Sequence, residues 1–145
     1  MLEGDAAALT GVFFLPGAAV PPALPQIVPP LLGVAAVELE EYFCGTRRSF
    51  SLPLAPRGSA FQLAVWEALA DIPYGATTTY GDLARRLGRP AASRAVGQAV
   101  GANPLPIVLA CHRVVAANGR LGGYAGGTGT KRRLLALEGA AVAAR

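Results

Sequence analysis

Proline and glycine interrupt every long apolar stretch of this 145-residue chain. Hydrophobic residues make up 52% of the sequence, which is enough apolar material to bury a core. Because 12 prolines and 18 glycines break up the apolar stretches, none is long enough to span a bilayer. The N-terminus, Met1 to Asp5, is acidic and lacks the basic start of a secretory signal. We therefore expect a soluble, cytoplasmic protein without a membrane partner.

A proline-rich segment follows the first apolar stretch. Six prolines lie from Pro16 to Pro30, which favours an extended, non-helical connection. Before it, Leu9 to Leu15 is rich in apolar and β-branched residues, as is typical of a strand. After it, the pattern predicts a helix from Leu31 to Phe43 that ends at Gly45, and a strand from Phe50 to Leu54.

The second part of the chain is mainly helical. Pro56-Arg57-Gly58 marks the boundary, and we predict an α+β fold with two units. The first lobe, residues 1–57, is a small, truncated N-terminal α/β lobe. The second lobe, residues 58–145, is a mainly helical C-terminal domain. It opens with an amphipathic helix, Ser59 to Leu69, in which Trp66 is expected to pack in the core.

Two short helices joined by a tight turn come next. Thr79 is a predicted N-cap, with Asp82 three residues later, and the helix it begins ends at Gly88. A second helix is predicted from Pro90 to about Val100. The pair is a candidate helix-turn-helix, although helix pairs are common in proteins of many functions.

Positive charge is concentrated in the second lobe. Residues 59–145 carry ten Lys or Arg and four acidic residues, whereas residues 1–58 carry three Arg and five acidic residues. A basic half suggests a polyanionic partner, but a basic surface is also typical of a solvated face.

The second helix of the pair consists mostly of small residues, including Ser93, Ala95 and Gly97. A glycine inside a helix costs about 1 kcal/mol relative to alanine. Gly97 therefore indicates either close packing against another helix or close approach to nucleic acid. The minor groove is only about 6 Å wide, so a smooth helix suits it. Arg94, the long side chain of this helix, could project into the base stack.

A cysteine stands beside the only histidine of the chain, at Cys111 and His112. Because the thiolate is the nucleophile, an activated cysteine needs a base, which His112 could supply directly or through a water. The other cysteine, Cys44, lies in a helical pattern and is expected to be a buried core thiol. Two cysteines and one histidine do not predict a zinc site, and we expect no metal.

Several motifs follow one another in order from residue 59 to residue 139. They are Phe61-Gln62, Val65-Trp66, Ile72-Pro73-Tyr74-Gly75, Thr79-Tyr80, Ser93 to Gly97, Asn103-Pro104, Cys111 to Val114, Gly122 to Gly127 and Leu137-Glu138-Gly139. In this combination the chain closely resembles the C-terminal domain of the O6-alkylguanine-DNA alkyltransferases, also called methylated-DNA–protein-cysteine methyltransferases. Leu9 to Leu15 and Glu38 to Gly45 resemble the family's N-terminal domain more weakly.

The resemblance implies a catalytic set. Cys111 would be the alkyl acceptor, His112 would act through a water, and Glu138 would complete the relay. Tyr80 would press on the DNA backbone and meet the guanine through its hydroxyl. Arg113 belongs to the motif and is expected to form a structural ion pair.

The resemblance also implies a DNA-binding set and a base pocket. Arg94 would fill the space that the flipped base leaves, and Ser93, Ala95, Gly97 and Tyr80 would contact DNA. Asn103 would be the hinge between the recognition helix and the active-site segment. Main-chain groups of Cys111, Val114 and Ala125 would bind the guanine, with Tyr124 on the pocket wall.

The implied activity is DNA repair by direct reversal of damage. A base flipped out through the minor groove of double-stranded DNA would lose its O6-alkyl group irreversibly to Cys111, with O4-alkylthymine as a second candidate substrate. The protein would act once, as a monomer, without a cofactor, because the substrate itself supplies the alkyl group.

Two features of the chain depart from the family's usual pattern. Ala110 stands where the family usually has proline, and the chain is expected to lack the strand that usually precedes Leu9.

Three other functions compete with alkyl transfer. They are those of an alkyltransferase-like protein that binds damage without transfer, a helix-turn-helix regulator and a cysteine hydrolase. Cys111 argues against the first, the small residues of the recognition helix against the second, and Arg94 with Tyr80 against the third.

Overall fold

The computed structural model describes residues 1–15 and 29–141. The predicted connection from Pro16 to Pro30 therefore lies almost wholly outside the described residues. The described parts combine five α-helices with two small sheets. This agrees with the predicted mixture of helix and strand. No helix in these parts is long and apolar enough to pass through a bilayer.

The first sheet contains a strand that we did not expect. Strand β1, Leu2–Gly4, pairs antiparallel with β2, Leu9–Val12, so the expectation that no strand precedes Leu9 is wrong. The Asp5 carboxylate accepts hydrogen bonds from two backbone N–H groups of the turn, at 2.7 and 3.0 Å. A three-residue strand shows too little alternation to be found by pattern.

The strand predicted from Phe50 to Leu54 is also wrong. Only Leu54 forms a bridge, with Leu9. Pro53 has no N–H to donate to a ladder, although its carbonyl accepts from Leu9 N at 2.9 Å. The segment thus crosses the edge of the first sheet without extending it as a strand.

Helices α1, Pro30–Phe43, and α2, Ala60–Ala70, follow the predicted bounds within one residue. The Ser59 side chain caps α2 by accepting from Gln62 N, and Gln62 Oε1 accepts from Ser59 N. Trp66 is buried as predicted, and its Nε1 donates to the Ala99 carbonyl at 2.8 Å. The prediction that Cys44 is a buried core thiol is wrong, because Cys44 lies just past the end of α1 and is exposed.

Helix α3, Tyr80–Arg86, begins at the predicted cap, because Thr79 Oγ1 accepts from Asp82 N. Gly88 takes a positive φ of 69° after the helix, a conformation that glycine adopts readily. Pro90–Ala92 forms a 3₁₀ turn, and α4 runs over Ser93–Gly101 and packs against α3. The second predicted helix is therefore α-helical only from Ser93.

Two hydrophobic clusters hold these elements together. The larger cluster joins both lobes, since Leu9 and Ala35 are buried in it together with Val65 and Leu83. The smaller cluster contains Tyr42 of α1, Ile107, and Leu134 of α5, which runs over Thr128–Leu137. The second sheet consists of β3 at Thr78–Thr79, paired parallel with β4 at Val114–Val115, and β4 follows the Cys111–Arg113 turn directly in the chain. The segments that flank Cys111 are thus anchored in the core.

Candidate active site

Cys111 begins a 3₁₀ turn, Cys111–Arg113, that leads directly into β4. Its side chain is buried, and burial raises the pKa of the thiol. The nearby Asn103 amide and the positive charge of Lys131 oppose this rise without cancelling it. The resting side chain is therefore a thiol, and it needs a base before it can attack.

The imidazole of His112 is fully buried beside a carboxylate. Its Nε2 lies 2.8 Å from Glu138 Oε1. Burial lowers the pKa of His112, although Glu138 acts in the opposite direction, so the ring is neutral. Because a carboxylate accepts, the single ring proton lies on Nε2 and leaves a lone pair on Nδ1. Among the described residues no group hydrogen-bonds to Nδ1, which is buried.

Glu138 is held as an anion by donors from several parts of the chain. Arg113 donates to both carboxylate oxygens, Nε to Oε2 at 2.8 Å and an Nη to Oε1 at 2.9 Å. Tyr42 donates to Oε1 at 2.7 Å, and the Gly75 N–H donates to Oε2 at 3.2 Å. Burial alone would raise the pKa of Glu138. The hydrogen bonds from His112, Arg113 and Tyr42 outweigh it and hold that pKa well below its usual range.

The ion pair expected of Arg113 is present. Its guanidinium also donates to the Ile72 carbonyl and lies over the Tyr74 ring, 5.8 Å from the ring centroid. These contacts fix Arg113 in the protein interior, so its role in the structure is to hold Glu138.

The segment before Cys111 is tied back to the end of α4. Asn103 Nδ2 donates to the Leu109 carbonyl, and Asn103 Oδ1 accepts from Leu105 N, both at 2.9 Å. Ile107 is buried at a positive φ of 76°, which is strained for a β-branched residue. Ala110 has a φ of −73°, within the range that proline requires. The backbone at Ala110 is thus proline-like although the residue is not.

A cavity of about 260 Å³ opens beside Cys111. Its lining residues are Tyr80, Gly97, Val100, Gly101, Asn103, Cys111, Gly123, Tyr124 and Ala125. Tyr124 and Ala125 therefore lie where a base pocket was predicted. Val114 lies behind the lining: its N–H donates to the Cys111 carbonyl and its carbonyl accepts from Lys131 Nζ at 2.7 Å.

Tyr80 packs close to two glycines, Gly97 of the cavity lining and Gly122 outside it. A Cβ on Gly97 would be 3.7 Å from the Tyr80 ring, and a Cβ on Gly122 would be 3.2 Å from the Tyr80 hydroxyl. The first distance is an ordinary van der Waals contact, so packing against Tyr80 does not by itself require a glycine at position 97 of α4. Burial, and then the nearby Cys111, raise the pKa of Tyr80, so its hydroxyl keeps its proton.

An open groove adjoins the cavity on the outside. Its lining residues are Tyr80, Gly81, Ser93, Arg94, Gly97, Gln98, Ala116 and Ala117. Ser93 and Arg94 therefore face the groove from α4, whereas Ala95 is exposed on the same helix outside the lining. Tyr80 and Gly97 belong to both hollows, so the groove leads past Tyr80 towards Cys111.

Two residues of the site were missed in the sequence. Tyr42 reaches Glu138 from the first lobe, and Lys131 ties the Val114 and Gly123 carbonyls together at 2.7 and 3.3 Å. Burial lowers the pKa of Lys131 to about 8. Lys131 is the only lysine of the chain, three and four residues before Leu134 and Leu135. A charged residue on an apolar helix face was the signal that could have identified it.

Residues 60–140 match the family described as 6-O-methylguanine DNA methyltransferase, DNA binding domain. Over 105 residues the chain is 54% identical to a methylated-DNA–protein-cysteine methyltransferase of Methanosarcina acetivorans, covering 72% of this chain and 67% of the relative. Over 103 residues it is 52% identical to an inducible enzyme of the same name from Bacillus subtilis, covering 71% of this chain and 58% of the relative. The chain thus spans between 58% and 67% of these relatives' length.

Solved structures are similar as well, one of them over nearly the whole chain. The Mycobacterium tuberculosis OGT in complex with DNA superimposes with a TM-score of 0.85 at 43% identity, covering 95% of this chain and 84% of that one. The S. pombe Atl1 in complex with DNA containing O6-carboxymethylguanine gives a TM-score of 0.50 at 35% identity, covering 57% of this chain and 79% of that one. The family match extends over more than half of the described residues. The chain belongs to the 6-O-methylguanine DNA methyltransferase family.

Proposed function

We propose that this protein repairs DNA by transferring the alkyl group of O6-alkylguanine irreversibly to Cys111. One observation carries the proposal. The buried thiol of Cys111 lines a cavity, and the next residue, His112, is a neutral histidine whose Nε2 is hydrogen-bonded to the buried Glu138 carboxylate. The relatives named methylated-DNA–protein-cysteine methyltransferase support the same chemistry.

The proton of the thiol leaves through His112. A water between Sγ of Cys111 and Nδ1 of His112 would pass the proton to the imidazole, whose lone pair is available on that side. The imidazolium that forms is stabilised by the Glu138 anion at 2.8 Å. Because the pKa of Glu138 is held so low, the proton stays on His112 rather than moving on to the carboxylate.

The resulting thiolate attacks the alkyl carbon in line. A sulfur–carbon bond forms as the bond between that carbon and O6 breaks, and the electron pair leaves with guanine. The departing guanine takes a proton, for which the Tyr80 hydroxyl is the proposed donor. The thioether has no leaving group that a protein side chain can displace under ordinary conditions. Each molecule therefore acts once, and no cofactor takes part.

The substrate base has to leave the duplex to reach Cys111. In the proposed complex α3 and α4 act as a helix-turn-helix, and α4 faces the minor groove through Ser93, Ala95 and Gly97. Arg94 fills the space left in the base stack, and Tyr80 presses on the DNA backbone as the nucleotide rotates. The exposed position of Arg94 on the groove that adjoins the cavity supports this arrangement.

The pocket assignments follow from the same proposal. Main-chain groups of Cys111, Val114 and Ala125 bind the flipped guanine, Tyr124 forms a wall, and Asn103 is the hinge. O4-alkylthymine is a second proposed substrate. We further propose a monomer acting on double-stranded DNA in the cytoplasm, with residues 1–57 as the first lobe and 58–145 as the repair domain.

A damage-binding protein without transfer activity is the second candidate, because the chain is also similar to S. pombe Atl1, which was solved in complex with damaged DNA containing O6-carboxymethylguanine. Such a protein would bind O6-alkylguanine and release it unchanged. Cys111, with His112 and Glu138 behind it, favours transfer, since a binding protein has no need of a nucleophile next to a base.

Stoichiometry separates these candidates. A fixed amount of protein is mixed with increasing amounts of a duplex oligonucleotide that contains O6-methylguanine, and restored guanine is counted. The proposal predicts a plateau at one guanine restored per protein molecule. Binding without restoration would support the Atl1-like function, and continued turnover beyond one equivalent would point to a hydrolase.

A further inference from the structure

The Glu138 carboxylate collects donors from both lobes of the protein. Oε1 accepts from His112 Nε2 at 2.8 Å, from the Tyr42 hydroxyl at 2.7 Å and from Arg113 at 2.9 Å. A carboxylate oxygen offers about two lone pairs, so three donors crowd this oxygen. Any one of them draws electron density away from the others.

Tyr42 is the donor that comes from the first lobe, 96 positions before Glu138. Its hydroxyl lies 3.5 Å from His112 Nε2, but both groups direct their protons at Oε1 and so form no strong bond with each other. Burial, and then its hydrogen bond to Glu138, raise the pKa of Tyr42 well above its usual range. The hydroxyl is therefore always a donor.

The Tyr42 ring cannot turn away from this position. It is fully buried, its centroid is 5.6 Å from that of Phe50, and it meets Tyr74 edge-on at 6.1 Å. Ile107 and Leu134 complete the cluster around it. The packing thus holds the hydroxyl at the oxygen that His112 uses.

Resting on the proposed function, we propose that Tyr42 is a positioning residue that limits the basicity of His112 through Glu138. By sharing Oε1 with His112, the Tyr42 hydroxyl weakens the pull of the carboxylate on the imidazolium. His112 then stays neutral and able to accept the Cys111 proton over a wider range of pH. The first lobe would in this way take part in the chemistry of the second.

The other charged groups around the imidazole each raise or lower the pKa of His112. The charged or titratable groups that face it are Glu138 and Lys131 from the α5 side, Arg113 and Cys111 from the 3₁₀ turn, and Tyr42 from α1. Arg113 and Lys131 lower the pKa of His112, while Glu138 raises it. Removal of the Tyr42 hydroxyl leaves Glu138 less satisfied, so the imidazolium gains stability and the pKa of His112 rises.

The test is Tyr42→Phe, which keeps the ring and removes the donor. His112 is the only histidine, so its titration can be followed without ambiguity by nitrogen NMR on histidine-labelled protein. We expect the titration midpoint to move to higher pH. The rate of alkylation of O6-methylguanine DNA should then begin to fall at a higher pH than in wild type. The acid limb of the pH–rate profile should be displaced by the same amount as the NMR midpoint, and one pH unit of displacement corresponds to a tenfold lower rate well below both midpoints.

Tyr74→Phe is the matched control. The Tyr74 hydroxyl donates to the Leu137 carbonyl at 3.2 Å, in the same cluster but not to Glu138. The Tyr74→Phe substitution should leave the titration midpoint of His112 and the shape of the pH–rate profile unchanged. An equal movement in both variants would attribute the effect to looser packing and overturn the proposal.

A second variant covers the case in which Tyr42→Phe fails to fold. Replacement of Tyr42 by 3-fluorotyrosine keeps the hydroxyl and makes it a stronger donor, so the midpoint should move to lower pH. A midpoint that does not move, or moves to higher pH, would overturn the proposal. If wild-type protein transferred no alkyl group, the proposed function would fail, while the NMR titration would still test the link between Tyr42 and His112.

Discussion

Glu138 Oε1 lies 2.8 Å from His112 Nε2, and both side chains are completely buried although they are 26 positions apart in the chain. Because the pair is closed to water, the carboxylate fixes both the ring orientation and the tautomer of His112. Nδ1 is left as the accepting nitrogen of the imidazole. The relationship therefore determines how the thiol of Cys111 can lose its proton.

Replacement of Glu138 by glutamine should slow alkyl transfer about a hundredfold, because general-base catalysis is worth about that factor or more and the base loses its charged partner. Affinity for undamaged DNA should change little, since Glu138 lies inside the protein. Single-turnover rates and DNA titrations measure the two effects. The matched control is Glu67→Gln on the exposed face of α2. A Glu138→Gln protein that reacts at the wild-type rate would remove Glu138 from the relay.

Stability should fall in two steps as the pH is lowered. The folded pKa of His112 is depressed, so the unfolded chain binds protons first and stability begins to fall below about pH 6.5. The folded pKa of Glu138 is also depressed. Its contribution is complete above about pH 4.3 and is lost as the pH falls further.

Urea unfolding at a series of pH values measures both steps. The Glu138→Gln protein should show a smaller lower step. Asp5 and Asp82, whose pKa values are lowered by backbone and side-chain hydrogen bonds, still titrate in it, but the buried carboxylate is gone. Wild-type stability that is constant from pH 7 to pH 5 would contradict the assignment of a neutral, buried His112.

Proline at position 110 should stabilise the protein by about 0.4–1 kcal/mol, because it restricts the unfolded chain without straining the folded one. The φ of Ala110 already suits proline, and no hydrogen bond from the Ala110 N–H is found in the described parts of the chain. Urea unfolding would measure the gain.

A second alanine provides the control for this substitution. Ala116 N donates to the Arg120 carbonyl at 2.9 Å, so Ala116→Pro should destabilise the protein. We expect Ala110→Pro to transfer the alkyl group at least as fast as wild type. A loss of stability in Ala110→Pro would show that this segment does not hold the proline-like backbone.

Arg94→Ala should impair repair in duplex DNA at least tenfold more than reaction with free O6-benzylguanine. Unstacking a base step costs a few kcal/mol, which the inserted side chain offsets only when a duplex is present. Arg132→Ala, on the exposed part of α5 and away from the groove, controls for the loss of one positive charge. Equal losses on both substrates would refute the insertion of Arg94 into the stack.

Local features of this fold could be predicted from the sequence. The caps at Ser59 and Thr79 depend on residues three positions apart, and the spacing of apolar residues along α2 predicts which of its faces, the one with Trp66, is buried. Each of these features is decided by a side chain and its neighbours within one turn, so the sequence pattern was sufficient.

Features decided by distant contacts could not be predicted. Strand β1 exists because β2 offers it a partner, and Tyr42 reaches Glu138 because the two lobes share a core. Cys44 is exposed because α1 ends just before it, so the side chain leaves the buried face. The roles in DNA binding depend on a duplex, which only experiments with DNA can test.

Intact-protein mass spectrometry tests the central claim most directly. The protein is incubated with a duplex oligonucleotide containing O6-methylguanine, and the modified peptide is then mapped. We expect a gain of one methylene on Cys111. The gain should be retained in Cys44→Ala, which removes the exposed thiol, and lost in Cys111→Ala. An unchanged mass with intact DNA binding, or a methyl group found on Cys44, would contradict it.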